Sequence, residues 1–501
     1  MAYVLTGFMG AGKSSAATEL AAALGGAALD SDNALEAELG EPIAAYFERE
    51  GEAAFRDREE RLVLGQLAAA RENDVLALGG GAITTDGVRA AVAGHTLVFI
   101  DTPVDVCWSR ASRSGKRPLA SDRDAFFALY REREHGYVTL ADAIAVAPSR
   151  GRYGPLAAAL ARRGGDEAQL LFSLRGDYPV FIGAGSLNRL EALVDCHGAF
   201  LVSDENVLRA QGGGLLRGAP RITITPGERS KTLREAEAVW GAMVEAAVSR
   251  EGRIVALGGG VVGDLAGFCA ACYQRGIPVV QVPTSLVAQV DSAYGGKTGV
   301  DLERAKNYVG AYHQPQAVLV DPDLLATLPA AERSSGWAEV VKTALIAGGW
   351  LWEAVRAGEL TEDVILGCVR TKLAVVAQDE RDAGRRQVLN LGHTVGHAIE
   401  AATGYRRYRH GEAVALGMLA ALRLSERAQL RSEVGALLAE RGLPTRLEGC
   451  TVDAVLRAVA LDKKRDGDGV PFVLVGGPGD VHEGARVADQ AVRAAVQELM
   501  G

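Results

Sequence analysis

Along the first 150 residues, short apolar runs alternate with longer stretches of mixed polarity: "YVLTGFMG", "SSAATELAAALG", "VLALGGG" and "TLVFIDTP". The short runs, closed by glycine or proline, read as buried strands, and the stretches between them as helices. That alternation predicts a parallel α/β sheet. The pattern fades at a seam over about residues 150–168, rich in Gly, Arg, Ala and Pro, and strands begin again at "LLFSLRGDYPVFIGAGSL". Strand and helix alternate to about residue 325, through "AFLVSDENV", "RITITPGE", "RIVALGGGVVGDLAGF", "PVVQVPTSLVAQV" and "AVLVDP". After "LLATLP" the period is helical, as in "GWAEVVKTALIAGGWLWEAV" and "GEAVALGMLAALRLSERAQL". The expected organisation is a P-loop-type α/β domain with a parallel sheet over 1–155 and a linker over 156–167. An α/β nucleotide-binding domain over 168–325 and a mostly helical metal-binding domain over 326–501 follow.

Composition narrows the class. A chain of 501 residues exceeds one hydrophobic core, and 48% hydrophobic with 23% charged residues is the ordinary globular balance. The net charge of −9 leaves no basic footprint for nucleic acid or anionic membrane. No apolar run reaches the ~18 residues of a membrane span. The opening "MAYVLTGFMGAGKSS" reads as a strand running into a glycine loop, not as a signal peptide, so the cytoplasm is expected. Six cysteines make no disulfide framework, and Cys269 with Cys272 in "FCAACYQRG" reads as two small buried helix residues.

"GFMGAGKSS" holds Gly7-x4-Gly12-Lys13-Ser14 between a strand and a helix, the setting of a phosphate-binding loop. Its backbone N–H groups and the helix N-terminus close on phosphate oxygens, Lys13 adds a cation, and Ser14 can reach Mg²⁺. Nearby motifs supply Asp30, Asp32, Arg56, Gly79, Gly80, Gly81, Arg117 and Arg133. Two arginines and an aspartate around a glycine platform suit a small acceptor with a carboxylate and hydroxyls.

In the second half, "RIVALGGGVVGDLAGF" has the strand, glycine turn and helix of dinucleotide pyrophosphate binding, without the full G-x-G-x-x-G. Glu228 and Lys231 in "TPGERSK" suit ribose and adenine. In "VPTSLVAQVDSAYGGKTGVD" and just beyond, Thr284, Ser285, Asp291, Lys297 and Lys306 suit a phosphorylated polyol. Glu339 and Lys342 share a helix in "GWAEVVKTAL". Three of eight histidines, His393, His397 and His410, fall close together, and a Glu with histidines is good Zn²⁺ ligation. Helical spacing by itself nominates His393 and His397 as the ligand pair, although Thr394 stands where a zinc-protease H-E-x-x-H would have glutamate.

The N-terminal motifs "GFMGAGKSS", "DSD", "FR", "GGG" and "RP" closely resemble shikimate kinase over residues 1–150. The resemblance implies ATP with Mg²⁺ held by Gly10, Gly12, Lys13, Ser14 and Ser15, with Asp30 near the Mg²⁺ and Arg117 on a closing lid. Shikimate would meet Asp32, Arg56, Gly80 and Arg133, and Asp32 would orient the attacking hydroxyl. His135 departs from the family's R-x-P-x-Y, while Tyr137 is kept. Arg152 is a candidate for the adenine side.

From about residue 168, "GGGVVGDLAGF", "GWAEVVK", "DERDAGRRQVLNLGHTVGHAIE" and "HGEAVALG" occur in the order of 3-dehydroquinate synthase, which the chain resembles to its end. This implies Zn²⁺ or Co²⁺ on Glu339, His393 and His410, with His397 on the substrate phosphate side. NAD would contact Glu228, Lys231, Gly260, Val261, Val262, Gly263, Asp264, Thr284, Ser285, Lys297, Lys306 and Thr327. Substrate would contact Asp291, Lys297, Lys342, Arg386, Asn390, Lys463 and Lys464. Family departures are Pro226, Ser285, Asp301, Ala305 and Leu391, none of them an implied metal ligand. The expectation is a fusion of the two enzymes acting on small molecules, dimeric through the synthase half. A polyol dehydrogenase using NAD and zinc is the alternative for that half.

Overall fold

The computed structural model describes residues 1–114, 122–147, 152–164, 168–211, 215–303, 305–466 and 470–501, with side chains for all of these except Ser114 and 462–466. Arg117 therefore lies outside the described residues, as do the side chains of Lys463 and Lys464. Among the described residues no helix is long and apolar enough to cross a membrane. The chain forms two compact units, 1–183 with 192–194, and 184–191 with 195–501.

In the first unit the strand Tyr3–Thr6 lies between Val75–Ala77 and Thr96–Asp101, parallel to both, with Tyr3 opposite Val75 on one side and Thr96 on the other. Ala28–Asp30 and Ala143–Val146 extend the sheet outward, also parallel. Later strands flank the first on both sides, so the winding reverses there and a crevice opens at the carboxyl ends. The glycine loop 7–12 leaves the first strand into that crevice. Gln169–Ser173 pairs in parallel beside Ala143–Val146, and Tyr178–Ile182 returns antiparallel beside it.

The second unit begins with five parallel strands in the order Ala317–Val320, Val279–Pro283, Arg253–Gly258, Ala199–Asp204 and Arg221–Ile224. Phe200, Val202 and Ile254 from the sheet meet Val262, Leu265 and Phe268 from the helix Gly260–Cys272 in one core. Burying each such side chain contributes roughly 1.5–3 kcal/mol. Cys269 belongs to this core, whereas Cys272 is exposed: three residues on, at the end of the helix, the chain faces water. The hairpin Lys297–Leu302 with Ala305–Tyr312 follows, then the helical part expected from the sequence.

Two of those helices, His393–Ala402 and His410–Leu424, cross with backbone against backbone. A Cβ on Gly417 would sit 1.9 Å from the Gly392 carbonyl oxygen, and one on Gly396 would sit 3.1 Å from that of Ala413. Only hydrogen fits at Gly417, and at Gly396 a methyl group would press on the facing helix. Gly392, at φ 80°, also turns the chain into the first of these helices. These glycines thus let His393, His397 and His410 converge, with ring centroids 5.2–6.0 Å apart.

Candidate active sites

In the first unit Gly7, Gly10 and Gly12 all have positive φ, the backbone freedom that a phosphate-binding loop needs. The Lys13 ammonium folds back on this loop, donating to the carbonyls of Gly7 at 2.8 Å and Phe8 at 3.2 Å. Ser14 and Ser15 follow in the first turn of the helix Lys13–Leu24. The loop is braced by Thr102, which donates to the Ala11 carbonyl at 2.8 Å. Arg110, absent from the sequence reading, lies 3.3 Å from the carbonyls of Gly10 and Ala11. Arg152 is ion-paired with Asp177.

Across the crevice, Asp30 caps the helix Ser31–Leu39 by accepting from the Asn33 N–H, and Asp32 lies in its first turn. Ser31 accepts from the Gly79 N–H at 2.9 Å, and Tyr137 donates to the Gly80 carbonyl at 2.5 Å, which fixes the glycine platform. Burial pushes the Tyr137 hydroxyl up to about 12, so it stays a donor at any physiological pH. Arg56 pairs with buried Glu59 at 2.5 Å. A Cβ on Gly79 would lie 2.3 Å from Glu59 Oε1 and 2.7 Å from Asp32 Oδ1, so both carboxylates press on the platform. Burial pushes the Glu59 carboxyl up and the charge of Asp32 adds to it, while Arg56 and Arg133 oppose the shift. Glu59 was missed in sequence, although it stands three residues from Arg56, the helical spacing of an ion pair.

In the second unit the turn Gly258–Gly260 passes close to its neighbours. A Cβ on Gly258 would meet Val262 at 2.5 Å, and Cβ atoms on Gly259 and Gly260 would crowd the hydroxyls of Ser285 and Ser292 at 3.1 and 3.0 Å. No side chain caps the helix that follows, so its N-terminal N–H groups face this cradle. Val261, Val262 and Gly263 form its first turn, and the Thr284 N–H donates to the Gly258 carbonyl. Buried Lys231 donates to Asp264 at 2.5 Å and to Asn307, and lies 3.9 Å from Glu228. Thr327 accepts from Gln211.

Asp291 lies in a π-helical turn, Ala288–Ser292, a local widening that recurs at functional sites. Its carboxylate meets Lys342 at 3.1 Å and also Lys372, a residue the sequence reading passed over. Burial opposes the charge of Asp291, but the two lysines outweigh it and hold the carboxyl below its ordinary value. Lys342 pairs in addition with Glu339, one turn earlier on the helix Ala330–Ala347. Lys297 pairs with Asp382. Buried Arg386 donates to the carbonyls of Gly295 and Glu380 at 3.0 and 2.6 Å, which fixes its guanidinium, while Asn390 is exposed four residues on.

Glu339 is 0% exposed, and its carboxylate is ion-paired with Lys342 on the same helix. His410 Nε2 lies 3.3 Å and His393 Nε2 3.6 Å from Glu339 Oε1. One ligand atom from each of the three falls within 4.8 Å of the others, and the same holds for His397, Glu400 and His410. A dry carboxylate between two imidazoles fits a divalent cation. His393 Nδ1 is 3.2 Å from the Leu391 carbonyl, which leaves Nε2 for the metal. Burial, then Lys342, lowers His393 to about 3, so it is neutral. Burial opposes the charge of Glu339, but Lys342 and the protonated His410 outweigh it and hold the carboxyl well below the usual range. His410 moves the other way: Glu339 and Glu400 outweigh burial and raise it to about 10. Below pH ~10 His410 therefore carries a proton that a metal must displace. Zn²⁺ uptake by the metal-free protein at pH 7 should release close to one proton, read by calorimetry in buffers of different ionisation enthalpy. Zero proton release would contradict this charge state.

The fold and these clusters define a chain of two enzymes, a P-loop kinase followed by an α/β and helical enzyme with a ligand set for a metal. The family model for shikimate kinase matches residues 9–151, and those for the N-terminal and C-terminal parts of 3-dehydroquinate synthase match 221–335 and 336–465. The 3-dehydroquinate synthase of Halorhodospira halophila is 45% identical over 335 residues, 63% of this chain and 94% of its own. Among solved structures, 2-epi-5-epi-valiolone synthase from Streptomyces hygroscopicus, with NAD⁺ and Zn²⁺ bound, is 28% identical with a TM-score of 0.59. A 2-deoxy-scyllo-inosose synthase complexed with carbaglucose-6-phosphate, NAD⁺ and Co²⁺ is 26% identical with a TM-score of 0.57. Each alignment covers 64% of this chain and 96% of the other. The chain belongs to the 3-dehydroquinate synthase family and carries a shikimate kinase domain ahead of it.

Proposed function

We propose that residues 1–155 phosphorylate the 3-hydroxyl of shikimate from ATP, and that residues 168–325 and 326–501 together convert 3-deoxy-D-arabino-heptulosonate 7-phosphate to 3-dehydroquinate and phosphate. In the kinase, the loop with Gly10, Gly12 and Lys13 holds the ATP phosphates, and Ser14 and Asp30 face Mg²⁺. Arg56 and Arg133 take the shikimate carboxylate, and Asp32 orients the attacking hydroxyl. The Arg56–Glu59 pair supports this, because it fixes one guanidinium before substrate arrives.

In the synthase, the Gly258–Gly260 cradle takes NAD, and Glu339, His393 and His410 hold Zn²⁺ or Co²⁺. Bound NAD would accept and return a hydride, and the cation would lower the pKa of the hydroxyls it meets. Lys342, Lys372 and Asp291 bind and orient those hydroxyls. Lys297, Arg386, Asn390, Lys463 and Lys464 hold the rest of the substrate, and His397 faces its phosphate. The observation that carries this reading is the dry Glu339 carboxylate between His393 and His410, one turn from a lysine that Asp291 shares. The working form is a homodimer through the synthase half, in the cytoplasm.

The purified chain should release phosphate from the heptulosonate phosphate with no net NADH, and ADP from ATP only when shikimate is present. Net NADH formed from an unphosphorylated polyol, without phosphate release, would favour the polyol dehydrogenase instead.

A further inference from the structure

Glu400 is a buried charge that the proposed chemistry does not use. It is 2% exposed and stands seven residues after His393 on the same helix. His393, His397 and Glu400, at i, i+4 and i+7, therefore share one helix face. A carboxylate so deep in protein needs cationic or N–H partners. Lys306 Nζ supplies one at 3.2 Å from Oε1, and His410 Nδ1 lies 3.8 Å from the same oxygen. The His410 ring is thus set between two carboxylates, with Nε2 toward Glu339 and Nδ1 toward Glu400. A histidine that gives one nitrogen to a metal needs an acceptor for the other N–H, and that acceptor fixes tautomer and ring plane. The Leu391 carbonyl stands in that place for His393.

We propose that Glu400 is the positioning residue of His410, accepting its Nδ1–H and so holding Nε2 toward the metal. Lys306 anchors the carboxylate from the hairpin strand Ala305–Tyr312. The inference rests on Glu339, His393 and His410 as the metal ligands. The rival is Glu400 as a ligand itself, since His397, Glu400 and His410 also converge. Both carboxylates carry a lysine, but Glu339 faces Nε2 of both His393 and His410, whereas Glu400 meets His410 through Nδ1.

The test uses the full chain loaded with Co²⁺, following its visible absorption and the rate of metal loss to a chelator. Glu400→Gln should keep full metal content yet lose the metal about 10–100-fold faster, with a shifted Co²⁺ spectrum. Lys306→Met, which removes the anchor and leaves the carboxylate in place, should give a smaller acceleration than Glu400→Gln. Unchanged metal loss and spectrum in Glu400→Gln would overturn the proposal, as would an equal acceleration in Lys306→Met. If Glu400→Gln proves insoluble, Glu400→Asp substitutes: its shorter carboxylate should accelerate loss, and an unchanged rate overturns the proposal equally. Glu339→Gln separates the two levels: when it loses its metal, the ligand reading stands whatever Glu400 does. Metal retained in Glu339→Gln but absent from Glu400→Gln would overturn both.

Discussion

Glu339→Gln should lower phosphate release from the heptulosonate substrate by about 10³-fold and leave shikimate-dependent ADP release unchanged. Glutamine keeps the volume, so the buried helix Ala330–Ala347 has no cavity to collapse into. What disappears is a negative charge at a position that is 0% exposed, where no water can replace it. His393 and His410 would then face an amide, and Lys342 would keep only Asp291. Lewis-acid stabilisation is worth several kcal/mol, and 1.36 kcal/mol is tenfold in rate, which gives about 10³. Elemental analysis of the variant should show the metal gone from the synthase site. Full metal content with an unaltered rate would remove Glu339 from the ligand set.

The reciprocal loss is expected from Asp32→Asn. Asparagine can donate or accept a hydrogen bond but cannot take a proton or match a developing positive charge. Shikimate phosphorylation should fall about 10²–10⁴-fold in kcat, the usual worth of a positioned acid or base, with the KM for MgATP little changed. The ATP side should hold because Lys13 and the glycine loop make their own contacts, with Gly7 and Phe8 among them. Phosphate release by the synthase should stay at its unaltered rate. A variant that raised only the KM for shikimate would make Asp32 a binding group without a part in transfer.

The parallel strands, the phosphate loop and the histidine cluster were legible because each rests on local pattern: apolar runs, glycine spacing, a rare residue type gathered in one window. What stayed hidden depends on distant chain. Lys372 sits in a mostly buried helix, Glu362–Gln378, where a lone lysine in "VRTKLAVV" gives no hint of a partner. That partner, Asp291, is aimed by a π-helical turn that no hydrophobic period announces. Arg110 reaches the glycine loop across about a hundred residues. Glu400 lay within reach of helical counting from His393, but a single glutamate on a helix carries no mark of partners that come from other elements. Spacing also offers His393 with His397 as a natural pair, since both lie on one helix. It cannot register that a second helix brings His410 within 3.3 Å of Glu339.

The glycine crossing that makes this possible also bears on how the protein can change. Contact between the helices His393–Ala402 and His410–Leu424 is made there by main chain, through Gly392, Gly396 and Gly417. The spacing of His393 and His410 is therefore insulated from exchanges among surrounding side chains, such as those of Val395 or Leu416. Core substitutions can accumulate and lower the melting temperature well before they detune the metal site. A mutational scan should record the contrast as a broad tolerance around two positions, Gly392 and Gly417, that accept nothing but glycine.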